Sequence, residues 1–138
     1  FVPVVAIALG CYDLLRGFIH TIALEYAALS IAGLDLGGVT AIDQLKLMAT
    51  LGMSNFVSGI ALIIIGLSTR RGALIMLAVI PVSYLIGIVC FRFYSASHEI
   101  SQANWGGATP LMAYLGICVI TFISGLVMAT HERPRREG

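Results

Sequence analysis

Apolar residues run through this chain in four long, almost unbroken stretches, at about residues 3–29, 41–67, 72–94 and 110–130. Each is long enough for a helix to cross a membrane, which takes about 20 residues for roughly 30 Å of hydrocarbon. A lipid-facing barrel would instead show segments of roughly 10 residues with strict alternation. Runs such as IALIIIGL and ALIMLAVIPVSYLIGIV do not alternate. The pattern predicts an all-α integral membrane protein, an antiparallel four-transmembrane-helix bundle that forms one domain over residues 1–138.

Local signals place the ends of these spans. Thr40 with Asp43 has the spacing of a capping box at the start of the second span. Thr109 before Pro110 sets an N-cap residue ahead of a proline at the first helical position of the fourth. Pro81 falls inside the third span, where it removes a backbone donor and predicts a kink, with Ser83 close by to satisfy the freed carbonyl. Asp13, Arg16 and His20 interrupt the first stretch, so residues 1–29 read as a span rather than as the apolar core of a cleaved signal peptide. The apolar opening, without a methionine, is compatible with residues preceding Phe1.

Composition strengthens the membrane reading. Of 138 residues, 59% are hydrophobic and 11% charged, against about 25% charged in an ordinary soluble domain. A globule of this size cannot hide so much apolar surface from water. A soluble enzyme, a nucleic-acid binder and a disordered chain are excluded, and the expected surroundings are membrane lipids. Basic residues set the orientation. Arg70 and Arg71 fill the short connection between the second and third spans, and Arg133, Arg135 and Arg136 crowd a basic tail at 131–138, while the other side offers Lys46 and Arg92. The positive-inside rule then puts both termini on the cytoplasmic or equivalent inner side. Phe91, Phe93, Tyr94 and Trp105 gather at the outer interface, where amphipathic rings settle. A bacterial or archaeal plasma membrane and an organelle membrane fit equally.

Candidate chemistry is sparse. Cys11, Cys90 and Cys118 form no C-x-x-C pair and read as small apolar packing residues. His20, His98 and His131 fall at three different depths, which argues against a haem between facing histidines. No metal or cofactor is expected. Ionisable residues at mid-membrane are costly and usually face the protein interior, which singles out the first span. Asp13, Arg16 and His20, spaced i, i+3 and i+7, share one stripe of a helix. With the spans aligned by their centres, near Arg16, Ser54, Ser83 and Ile120, the residues Ser54, Asn55, Ser58, Ser83, Tyr84 and Thr121 lie at similar depth. Two readings follow. Asp13, Arg16, His20, Asn55 and Tyr84 form a binding or proton-handling site, or Asp13 and Arg16 form a self-neutralising pair with Asn55 as interhelical glue. The self-neutralising reading is the simpler. A second polar group, Glu25, Lys46 and Arg92, falls near the outer interface, where long side chains snorkel.

Packing signals are clearer. Gly52, Gly59 and Gly66 repeat every seven residues along the second span, Ser83 with Gly87 forms a small-residue ridge on the third, and Thr121, Gly125 and Ala129 form one on the fourth. Such ridges let helix backbones approach closely where lipid gives no hydrophobic drive for association. The expectation is accordingly a non-catalytic accessory or scaffolding subunit, packed against other transmembrane subunits or copies of itself. The alternative is a small homo-oligomeric transporter or channel using Asp13, Arg16 and Asn55. A third reading is a lipid- or quinone-handling protein with His20 and Glu25 as acid and base, although those two point about 140° apart around a helix.

Overall fold

The computed structural model describes residues 1–96 and 106–131. His98, Glu99 and Trp105 of the third connection, and Arg133, Arg135 and Arg136 of the basic tail, lie outside the described residues. The described chain is helical without strands: α1 (Val2–Thr21), a single turn α2 (Leu24–Tyr26) that widens into a π-helical segment (Ala27–Ile31), α3 (Ala41–Ser68), α4 (Arg70–Ser95) and α5 (Ala108–His131). Among these residues four helices, α1, α3, α4 and α5, are long and apolar enough to cross a membrane.

The first apolar stretch does not form one helix to Leu29. It ends at Thr21, in a last turn whose carbonyls also meet side chains: His20 Nδ1 lies 2.7 Å from the Arg16 carbonyl oxygen and Thr21 Oγ1 donates to the Gly17 carbonyl at 2.7 Å. Twenty residues remain in α1, or about 30 Å at 1.5 Å per residue. The chain then folds back through α2 and the π-helical segment, which buries Ala27 and Ala28. Gly33 closes this segment at φ 63°, a left-handed conformation that glycine adopts without strain, and Leu34 N–H donates to the Ala28 carbonyl at 2.9 Å.

Three terminal signals resolve differently from expectation. Thr40 is the N-cap of α3 but makes no side-chain capping bond; its hydroxyl is 3.5 Å from Gln44 Nε2, and Asp43 instead pairs with Lys46 at 3.7 Å on the exposed surface. Arg70 and Arg71 belong to the first turn of α4, because Thr69 alone makes the connection, extended and capping α4 by accepting from Gly72 N–H at 2.9 Å. Helix α5 starts at Ala108, so Thr109 and Pro110 lie within its first turn rather than ahead of it. Pro81 sits within α4, which continues to Ser95.

The main contact of the fold is α1 against α3, running antiparallel. Gly66 meets Pro3 and Ile7, Gly59 meets Gly10 and Leu14, and Gly52 meets His20 and Thr21. A Cβ at Gly59 would come within 2.8 Å of the Gly10 carbonyl oxygen, and one at Gly10 within 2.8 Å of the Gly59 carbonyl oxygen. Only glycine permits backbones this close. The seven-residue glycine stripe therefore meets a helix of the same chain. Gly125 of α5 faces Leu74 and Val2. A core of Val2, Ala6, Leu9, Leu62, Ala73, Leu77, Tyr114 and Cys118 joins all four long helices. The outer faces carry large apolar side chains such as Val4, Val57, Leu67 and Ile120, each more than two-thirds exposed.

Candidate functional site

The two charged residues of α1 sit at the centre of this packing. Asp13 is 3% exposed and lies between Gly10 and Gly17, both of which sit tightly against α3. That approach lets a side chain as short as Ser58 reach across: its hydroxyl donates to Asp13 Oδ2 at 2.8 Å, while also lying 3.1 Å from the Asn55 carbonyl oxygen. From α5, the Tyr114 hydroxyl donates to the same Oδ2 at 2.9 Å. Arg16 Nη1 donates to Oδ1 at 3.3 Å. The carboxylate thus receives three donors from three helices, which offset the cost of its burial.

Arg16 is anchored as well as paired. Its guanidinium carbon lies 5.9 Å from the ring centroids of both Tyr12 and Tyr114, and those rings are themselves 5.9 Å apart. Cation–π attraction holds the group in this position. Only one of its five N–H donors is engaged by Asp13. Because a carbonyl oxygen only accepts, His20 must carry its proton on Nδ1 when neutral, and Nε2 is then an acceptor.

Beside this pair lies a cavity of about 180 Å³ lined by Asp13, Arg16, Asn55, Ser58, Tyr84 and Tyr114, among others. Asn55 is 5% exposed, and its Nδ2 is sealed from solvent with no hydrogen-bond partner. An unsatisfied buried donor of this kind costs about 1–3 kcal/mol. Tyr84 is shared with a groove of about 620 Å³ that runs along α4 past Gly87, Ile88 and Phe91 to Arg92. On the opposite flank Arg16 also borders a smaller cavity, of about 150 Å³, with His20, Ile31 and Gly107.

Of the five residues read as one site, Asp13, Arg16, Asn55 and Tyr84 share the cavity, whereas His20 opens onto the neighbouring one. Glu25, Lys46 and Arg92 do not come together: Glu25 is exposed in α2, Lys46 pairs with Asp43, Arg92 lines the α4 groove, and no ion pair joins them among the described residues. Tyr114 and Tyr12 were not foreseen. With the first stretch counted to Leu29, its centre fell near Arg16 and faced Ile120, whereas the shorter α1 brings Asp13 nearer its middle, within reach of the long Tyr114 phenol. A tyrosine in an otherwise apolar span was the available signal, since a buried hydroxyl needs a partner. Among the described residues, no group of three His, Cys, Asp or Glu is placed to hold a metal ion. Comparison with protein-family models, with curated proteins and with solved structures gives no match.

Proposed function

We propose that this chain is a multi-pass integral membrane protein, a four-helix antiparallel bundle with both termini on the inner side, that binds a small polar molecule or the head of an amphiphile within the membrane and carries it there without catalysis. One observation supports this above the others. The Asn55 amide is buried and unpartnered in the wall of a cavity whose other walls hold an intact ion pair. A purely structural pair needs Asp13 and Arg16 joined, and they are; it does not call for an orphan donor at their side. Mass spectrometry of small molecules that co-purify with the protein tests the reading. A species bound to the wild type and depleted in Asn55→Leu is expected, and identical profiles would overturn it. Sidedness is checked by an impermeant thiol reagent on Gly138→Cys in sealed vesicles, which labels only when the inner face is accessible.

A second reading, the accessory subunit, draws on a different feature. The glycine stripe of α3 is covered by α1, but a Cβ at Gly87 of α4 would meet nothing within 4 Å, and Val82, Leu85, Ile86 and Phe91 around it are exposed. The Ser83–Gly87 ridge is the kind of surface another subunit's helix packs on. Gly87→Cys, in a chain lacking Cys11 and Cys90, gives a cross-linked product in native membranes on this reading. The lipid-facing control Val4→Cys does not. Equal behaviour of the two positions counts against it.

A further inference from the structure

The donors and charges around the central cavity restrict what it can hold. Among the described residues its charged walls are Asp13 and Arg16, which cancel. An anion would find no net positive charge, and a cation would meet a carboxylate already paired with Arg16 and accepting from Ser58 and Tyr114. Several hydroxyl protons are committed: Ser58 and Tyr114 to Asp13, and Ser54 to the Thr50 carbonyl at 3.2 Å. Uncommitted donors remain at Asn55 Nδ2 and on the rest of the Arg16 guanidinium. The space, about 180 Å³, equals roughly six waters at about 30 Å³ each, enough for a compact head group. Through Tyr84 it abuts the larger α4 groove, whose walls at Ile88, Phe91 and Leu111 are apolar.

We propose that the cavity takes the uncharged, hydrogen-bond-accepting head of an amphiphile, a carbonyl group held by Asn55 Nδ2 and the Arg16 guanidinium, with its apolar tail in the groove along α4. This rests on the reading that the site binds a ligand, and adds the ligand's chemical class. Desolvating an ionised head group without a net countercharge would oppose binding, whereas a carbonyl gives the orphan amide its missing partner. The tail needs no polar contact, and beyond Ser83, Tyr84, Arg92 and Ser95 the described walls of the groove are apolar.

The chain has two asparagines, at 55 and 104, so protein labelled with 15N only in asparagine shows two side-chain amides by NMR. Asn104→Asp identifies which signal is Asn55. In phosphatidylcholine nanodiscs the labelled protein is titrated with 2-dodecanone, dodecanoate and dodecane, three probes with closely similar tails and different heads. The ketone is expected to shift the Asn55 signal saturably, dodecanoate to bind about tenfold more weakly, and dodecane to leave the signal unmoved. By calorimetry Asn55→Ala weakens the ketone about fivefold, the worth of one neutral hydrogen bond. Dodecanoate binding as tightly as the ketone, or dodecane matching it, would overturn the head-group assignment and leave the ligand-binding reading in place. No saturable shift with any of the three would overturn both.

Discussion

Replacing Gly59 by alanine tests the close approach on which the fold depends. The added Cβ would sit 2.8 Å from the Gly10 carbonyl oxygen and 3.0 Å from the Leu14 amide nitrogen. Carbon and carbonyl oxygen normally come no closer than about 3.3 Å, so α1 and α3 must part by roughly half an ångström. Both obstructing atoms are backbone and cannot rotate away. Overpacking of this kind costs about 1–3 kcal/mol. Alanine also favours a helix over glycine by up to about 1 kcal/mol, which hides part of the loss. Gly87→Ala supplies the control, because a Cβ there meets nothing and only the helix-forming gain remains. The difference between the two variants isolates the packing term, expected at about 1–3 kcal/mol. Unfolding in mixed micelles with increasing sodium dodecyl sulfate, followed by circular dichroism, measures both. Gly10→Ala opens the same gap from the other side, with its Cβ 2.8 Å from the Gly59 carbonyl oxygen. Once one methyl has separated the helices the second costs less, so the double variant should lose less than the summed singles. Equal stability of Gly59→Ala and Gly87→Ala, or strict additivity of the pair at 10 and 59, would refute the argument.

The same assay checks the charge network. Arg16→Gln leaves Asp13 in the core without its cation and should cost about 3–5 kcal/mol, most of which Asp13→Asn restores when added to it; a double variant no better than the single would show that the two do not act as a pair. Tyr114→Phe removes one of three donors to Asp13 and should cost about 1.5–3 kcal/mol, the range for hydrogen bonds to a charged group, with helix content unchanged by circular dichroism. Asn55→Leu should raise the stability of ligand-free protein by about 1–3 kcal/mol, because it removes an unsatisfied buried donor, while abolishing ligand retention. A loss of stability in the ligand-free state would show that the amide already has its partner.

How much of this was legible in the sequence depends on the range of each interaction. The four spans follow from runs of apolar residues, a local property, and the boundaries of α3, α4 and α5 fall within a few residues of expectation. The end of α1 was not visible, because the apolar run continues past Thr21 to Leu29, and hydropathy is blind to a break within such a run. The i, i+3 spacing made the Asp13–Arg16 pair readable, and Asn55 was found by depth. Ser58 also falls at matching depth, but its pairing with Asp13, like that of Tyr114, depends on helix rotation and register, which one sequence does not encode locally. The glycine stripe told of a close contact without naming its partner. That partner is α1, and this moves the weight of the functional reading from the chain's outside to its interior.

The glycines and the charges prove to be one device. Asp13 stands between Gly10 and Gly17 on the face of α1 that meets α3, and Ser58 adjoins Gly59 on the facing helix. A serine side chain reaches only a short distance from its backbone, so the 2.8 Å bond to Asp13 exists because the glycines bring the two helices together. Without them, the carboxylate would lose a donor and its burial would cost more than its pairing returns. Gly59→Ala should therefore do more than strain the interface. By parting α1 from α3 it should also lengthen the Ser58–Asp13 bond and open the wall beside Asn55. This gives Gly59→Ala a second signature that a packing defect elsewhere lacks. The Asn55 amide signal should move in Gly59→Ala and stay in place in Gly125→Ala, whose Cβ would press on the flexible ends of Leu74 and Val2. If the two variants perturb Asn55 alike, helix spacing and site geometry are not coupled in this way.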